Sequence, residues 1–293
     1  VHFERCTVCK IRPDDWCEAR MPISLPSGKT NIRALMVEVF ETTEISVSVV
    51  QPEERVRQGP LYTNLFEPLA CVGFTVLCLE RTSADTGRKG SKPRYASPQA
   101  GTCKAVAAAR MRCRAAVSAE CWLHPGHAYL IVPLSHHSGG AFRLVCACMS
   151  SRPVVIEERD LDQWMLTAAW AAYARSGPAS ERSEFHGAEL FSRQAEGGAV
   201  VMLAENRGRG YFHVEVDFES SGLRYSRSSP YTVDCVPPDH GQILQVGVPS
   251  QDSRGNAGWR SSHRFKMLQV CPEPPWHTPD VGPSIHQPFR LNG

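Results

Sequence analysis

A thiol and an imidazole lie close together in this sequence: Cys121-Trp122, then Gly126-His127-Ala128-Tyr129. A cysteine–histidine hydrolase needs a thiolate whose pKa is lowered by a helix N-terminus, and a histidine delivered from a distant strand and oriented by Asn. The fragments do not meet that demand. Pro125-Gly126 follows too soon for a helix to start at the cysteine. No Gln lies within 109–120, just before it, as an oxyanion donor, and no Asn-Pro-Trp follows. No catalytic residue is therefore assigned. Cys6-Thr-Val-Cys9, with Cys17 eight residues on, has half the spacing of a zinc site. No second Cys-x-x-Cys completes it, so no metal or other cofactor is expected. Arg88, Lys89, Lys92 and Arg94 form a basic run that could meet anionic lipid or a partner; the plainer reading is a solvated charge run.

The elements around these residues are mostly strands. Ile45, Val47 and Val49 alternate with Ser46 and Ser48, the period of a half-buried strand. Cys71–Leu79 is a second apolar run. From 83 to 102 periodicity stops among Ser, Gly, Lys, Arg and Pro, which reads as a disordered loop. Strands resume from Ala105 through 129–133 and 141–147, with Gly139-Gly140 a hairpin signal between the last two.

One helix is expected, over 160–174. Asp160 would cap it, with Gln163 completing a capping box, and Leu161, Trp164, Ala168 and Ala172 would form its core stripe. Beyond it, Phe212, Val214, Val216 and Phe218 alternate with polar residues, and Leu244, Val246 and Val248 repeat the pattern. Six prolines from Pro272 onward suggest an extended or disordered tail. Strands recurring without helices argue against a parallel sheet. The fold expected is mainly β, two antiparallel sandwich-like domains with one linking helix.

Composition narrows the partners. The 293 residues carry 32 basic and 30 acidic side chains, a net charge of +2 with no global attraction to nucleic acid. No apolar run is long enough to span a membrane. Of the twelve cysteines, Cys71, Cys78, Cys113, Cys121, Cys146 and Cys148 sit in apolar runs, as free thiols do in a cytoplasmic protein. The absence of a leader and of an initiating Met suggests a piece of a longer chain.

The stretch Leu123-His-Pro-Gly-His-Ala-Tyr-Leu-Ile-Val-Pro133, followed by Ser135 and Gly140-Ala-Phe-Arg-Leu144, resembles the signature of calpain domain III. That signature runs Leu-x-Pro-Gly-x-Tyr, Ile-Val-Pro-Ser/Thr, Gly-x-Phe-x-Leu-Arg-Val; here Ala128 puts one residue out of register. Phe3-Glu-Arg-Cys-Thr-Val-Cys-Lys-Ile11 is similar to the end of a calpain protease core. Trp16-Cys-Glu-Ala-Arg20, Glu205-Asn-Arg207, Tyr211-Phe-His-Val214, Val236-Pro-Pro-Asp-His240, Gly255-Asn-Ala-Gly-Trp259 and Ser262-His-Arg264 resemble the C-terminal region of small-optic-lobes (SOL) type calpains.

The resemblance implies a parent with N-terminal zinc fingers and a cysteine-protease core, of which this chain is a non-catalytic regulatory or scaffold region. It divides the chain into the end of the core (1–13), a domain III-like sandwich (14–158), a second β domain with the helix at its start (159–271) and a Pro-rich tail (272–293). Docking to the core in cis would use Asp14, Asp15, Glu18 and Arg20, with strand 18–23 beside them. The alternative is a phospholipid- or protein-binding sandwich that recruits the protease. Conventional domain III carries an acidic calcium-responsive loop. Here the matching stretch, Ser24 to Asn31, has no Asp or Glu, so no calcium site is expected. Glu157, Glu158, Asp160 and Asp162 are the one acidic cluster, and the last two are assigned to the helix N-terminus.

Overall fold

The computed structural model describes residues 16–25, 33–51, 69–80, 99–135, 142–178, 181–195, 198–220, 222–227, 229–250, 259–270 and 285–291. Nine strands precede the helix: β1 Cys17–Leu25, β2 Arg33–Val39, β3 Thr43–Val50, β4 Val72–Leu79, β5 Ala105–Arg112, β6 Ala116–Leu123, β7 Ala128–Ser135, β8 Phe142–Ser150 and β9 Val154–Asp160. Then come α1 Gln163–Arg175, β10 Arg182–Phe185, β11 Ala188–Gln194, β12 Val200–Asn206, β13 Tyr211–Ser220, β14 Leu223–Tyr225, β15 Tyr231–Val236, β16 His240–Pro249, β17 Trp259–Leu268 and β18 Phe289–Arg290.

All described pairings are antiparallel, and four sheets result. The first has order β1-β8-β3-β6 and the second β5-β4-β7-β2-β9. The third is β10-β11-β12-β16-β14, with β18 on the far end of β16; the fourth is β15-β13-β17. The architecture is mainly β and sandwich-like, with one helix among the described residues.

Burial orders the layers. Leu35, Val37, Phe74, Val76 and Ile131 of the second sheet pack on Ile45, Val47, Val49 and Leu144 of the first. Their sequence neighbours Met36, Leu77, Leu130 and Val132 face the other way, onto α1. Val201 and Leu203 of the third sheet cover the same helix, while Val200, Met202 and Ala204 pack on Phe212, Val214 and Val216 of the fourth. The second and third sheets are thus buried on both faces, which explains the unbroken apolar runs at 128–134 and 199–204. The first and fourth expose one face, so β3 and β13 alternate.

Helix α1 is wedged between the second and third sheets. Thr167 to Ala174 are all buried, and a helix covered all round has no polar stripe. Five alanines in that stretch favour helix and let both sheets approach closely. Ser176 ends it by donating its N–H to Ala172 O at 3.1 Å and its Oγ–H to Tyr173 O at 2.7 Å, before Gly177-Pro178.

Several expectations change. Asp160 is not the cap: β9 stays paired with β2 as far as Asp160, opposite Arg33, and holds that residue extended. Asp162 caps instead, accepting the Met165 N–H at 2.7 Å, and Gln163 becomes the first helical residue. Trp164 is not core; it is 51% exposed, whereas Trp170 and Tyr173 are buried. The 129 and 142 strands form no hairpin: β7 pairs with β4 and β2, β8 with β1 and β3, in different sheets. Within the Pro-rich tail, residues 285–291 return to the fold; Phe289 and Leu291 are buried beside β16. The 83–102 loop is described only over 99–102, and Gly139-Gly140 lies outside the described residues.

Candidate functional site

Cys121 and His127 are built into a corner of the first sheet pair. Cys121 lies on β6 opposite Ile45, and its half-buried thiol packs among the core side chains. Burial, then the neighbouring Cys148, pushes its pKa up to about 11, so almost no thiolate exists near neutrality. His127 sits exposed in the turn, its ring edge-on to Tyr129 at 6.4 Å. The turn itself explains the Leu-His-Pro-Gly motif. The buried Tyr129 hydroxyl accepts the His124 N–H at 2.8 Å and donates to His124 O at 3.1 Å, while Gly126 takes φ +89°. The motif makes a structural corner.

Glu18 and Arg20 lie on β1, an edge strand, opposite Met149 and Ala147. The Arg20 Nε–H donates to Glu18 Oε1 at 2.6 Å across an exposed surface, a pair of little energetic worth. Beside them β1 and β9, edge strands of the first two sheets among the described residues, leave a groove of about 380 Å³. Ala19, Met21, Cys148, Val154 and Ile156 line it, with Glu18 at its rim. On the opposite side the sandwich is closed by the short turn from β5 to β6. Asp14, Asp15, Arg88, Lys89, Lys92 and Arg94 lie outside the described residues, as do Cys6 and Cys9. Among the described residues no group of three or more His, Cys, Asp or Glu side chains is arranged to hold a metal.

The acidic cluster resolves into strand residues. Glu158 accepts from Arg33 Nη1 at 2.7 Å, and Glu157 lies 3.5 Å from Arg159 Nη2. Only Asp162 serves the helix N-terminus.

A buried polar hub joins the helix to both flanking sheets. Arg175, at the end of α1, donates Nε–H to Glu205 Oε1 at 2.5 Å and Nη1–H to Cys103 O at 3.1 Å. Glu205 is 1% exposed and also accepts from Arg207 Nη2 at 3.0 Å. Tyr173 accepts the Met111 N–H at 3.0 Å through its hydroxyl, and the Arg193 guanidinium lies 5.0 Å over its ring. Next to Glu205, buried Asn206 donates to Gly210 O and Val236 O at 2.8 and 2.9 Å and accepts the Gly208 N–H at 3.0 Å. Glu205-Asn206-Arg207 therefore ties the helix, the β12–β13 turn and the end of β15. In Val236-Pro-Pro-Asp-His240, Asp239 adopts φ +56° and its carbonyl accepts the Leu291 N–H at 2.9 Å.

A second polar cluster sits inside the third and fourth sheets. Arg227 Nη1 donates to Asp234 Oδ1 and Oδ2 at 2.9 and 2.8 Å, and Gln242 Nε2 donates to Oδ1 at 2.7 Å. Gln245 Oε1 accepts the Arg227 N–H at 3.1 Å and the Ser226 hydroxyl at 2.9 Å. Sequence reasoning missed this cluster and the role of Arg175. Glu205 closing an apolar run was a signal for the hub; nothing local distinguishes Arg227 or Asp234 from surface charge.

Residues 174–270 match the family model described as Calpain-D-like, C-terminal domain. No curated protein matches the chain. The match supports a calpain C-terminal region, and such a domain alone is non-catalytic. Among the described residues no helix is long and apolar enough to cross a membrane.

Proposed function

We propose that this chain is the non-catalytic C-terminal region of a cytoplasmic, calpain-like cysteine endopeptidase of the SOL type, and that it modulates its own protease core. The family match over 174–270 carries this reading. The structure supports it in a physical way. The middle core draws residues from the second sheet, α1 and the third sheet. β1 lies in the first sheet, which packs on the second through its own core, so a contact at β1 would bear on a continuously packed body. Coupling of that kind requires different contacts in the open and closed states of a core, not proximity alone. The reading assigns those contacts to Glu18 and Arg20 on β1 and to Asp14 and Asp15, which precede them in sequence.

The test uses the full-length parent protease. Charge reversal of Asp14, Asp15, Glu18 and Arg20 should change proteolytic rate while the melting temperature holds, and deletion of 21–293 should change it further. Unchanged rates in both variants would overturn action in cis. Recruitment would then be the surviving role. Co-sedimentation with phosphatidylserine vesicles, lost on neutralising Arg88, Lys89, Lys92 and Arg94, would identify it as lipid-directed.

A further inference from the structure

Cys71 immediately precedes β4, and Cys113 immediately follows β5. Val72 pairs with Arg112, so the next rung of the antiparallel ladder sets Cys71 opposite Cys113. Just beyond them the buried side chain of Gln51 grips both chains. Its Nε2 donates to Ala70 O and to Arg114 O, each at 2.8 Å, and its Oε1 accepts the Ala70 N–H at 2.9 Å. The Ser135 hydroxyl adds a hydrogen bond to Cys71 O at 3.0 Å. The two cysteines are thus bracketed by a strand rung on one side and an amide clamp on the other. Side-chain hydrogen bonding between the two thiols raises the pKa of Cys71 and lowers that of Cys113.

Opposed residues of an antiparallel pair have Cα atoms about 4.5–5.5 Å apart. A disulfide spans about 4.4–6.8 Å, so this pair can close without backbone movement. Cys146 and Cys148 also touch, but they stand two apart on one strand. At about 3.3 Å per residue their Cα atoms reach the limit of that range, with side chains projecting in parallel.

We propose that Cys71 and Cys113 form an oxidation site, closed to an intramolecular disulfide by a peroxide. Cys113 is half-buried and Cys71 only 5% exposed, so the oxidant meets Cys113 first. Hydrogen bonding between the thiols favours the Cys113 thiolate and, with burial, keeps Cys71 protonated. The Cys113 thiolate attacks one peroxide oxygen, the O–O bond breaks, and sulfenic acid and hydroxide form. Cys71 sulfur then displaces the sulfenic hydroxyl: the S–S bond forms, the S–O bond breaks, and the Cys71 proton leaves with the hydroxyl as water. The two electrons lost by the thiols reduce the peroxide. Both cysteines contact the core around α1, and Met111, two residues from Cys113, donates to Tyr173 of that helix. The cross-link therefore tightens the sheet on which the helix rests.

The experiment treats the whole chain with hydrogen peroxide, blocks remaining thiols under denaturation, and maps peptides without reduction. The expected result is one linked peptide pair, Cys71 with Cys113, and a melting temperature raised by roughly 5–15 °C. Reduction should reverse both. In Cys113→Ser the linked pair and the shift should be absent while Cys71 remains a thiol. In Cys71→Ser, which keeps a hydroxyl donor beside Cys113 but no second sulfur, Cys113 should be trapped as sulfenic acid by dimedone. Two free thiols after peroxide, sulfenic acid at Cys113 in the native chain without linkage, or linkage to any other cysteine would each overturn the proposal.

Discussion

The two sheet pairs keep their polar groups in different places. In the first, hydrogen-bonded side chains stand at the rim: Tyr129 closes the corner at His124, and Gln51 clamps the end of β4 and β5. Its buried polar side chains among the described residues are uncharged. In the second, charge lies inside: Arg227 and Asp234 are 3% and 0% exposed, with Gln242 and Gln245 fully buried beside them. Two glutamines three positions apart would normally face opposite sides of a strand. The register shift in the β12–β16 ladder brings both onto one face, opposite Ala204 and Met202. An apolar core accepts many arrangements of similar volume. A buried carboxylate held by a guanidinium nitrogen and a glutamine amide accepts far fewer, so the bulge and the network define each other. The unit with the internal charge is also the one the family model matches.

The sharpest way to break this contrast is Asp234→Ala, which strands a guanidinium in the interior. A loss of about 3–5 kcal/mol is expected in urea unfolding. The double variant Arg227→Met, Asp234→Leu should recover most of it, because the penalty belongs to the orphaned charge. A single variant that loses less than 1 kcal/mol would show that water reaches the site. Next in size is Tyr129→Phe, expected to cost about 1–3 kcal/mol by leaving the His124 backbone groups without their partner. If it equals Asp234→Ala, rim and interior polar groups contribute alike and the contrast fails.

Asp162→Ala should cost about 1 kcal/mol through the lost cap, and Asp160→Ala clearly less. The reverse order in thermal melts would move the helix start back to the position read from sequence. Smallest is Trp164→Ala, expected within about 0.5 kcal/mol of the parent because its side chain is half in water.

Much of the fold was legible. Alternation marked β3 and β13, and the lone change of period marked α1. What misled was the assumption that a helix has one buried face. Wedged between two sheets, α1 buries residues all round over 167–174, so Leu161, Ala168 and Ala172 of the expected stripe are core together with residues off it, and Trp164 alone of the stripe is not. Asp160 failed as a cap for a non-local reason: its pairing partner, Arg33, lies far away in sequence. The two-sheet path from β7 to β8 was hidden for the same reason, since two glycines between strands look alike in a hairpin and in a crossover. Of the candidate site, Glu18 and Arg20 fell on an edge strand beside a groove. The Glu205 hub was visible only as a motif, and Asp234 carried no local mark at all.

The returning segment 285–291 has a consequence for the order of events during synthesis. Leu291 and Phe289 fill the core around α1, and Gly101 lies so close that a Cβ there would sit 2.6 Å from the Leu291 Cα. Every other described piece of that core leaves the ribosome earlier. Until residue 291 emerges, the helix is flanked by two sheets with a gap in the seam, and the Asp239 carbonyl waits for the Leu291 N–H. The last stitch of this core is therefore also the last part of it to be synthesised, and a chain cut at 284 would hold nearly all the described strands yet leave that seam open to water.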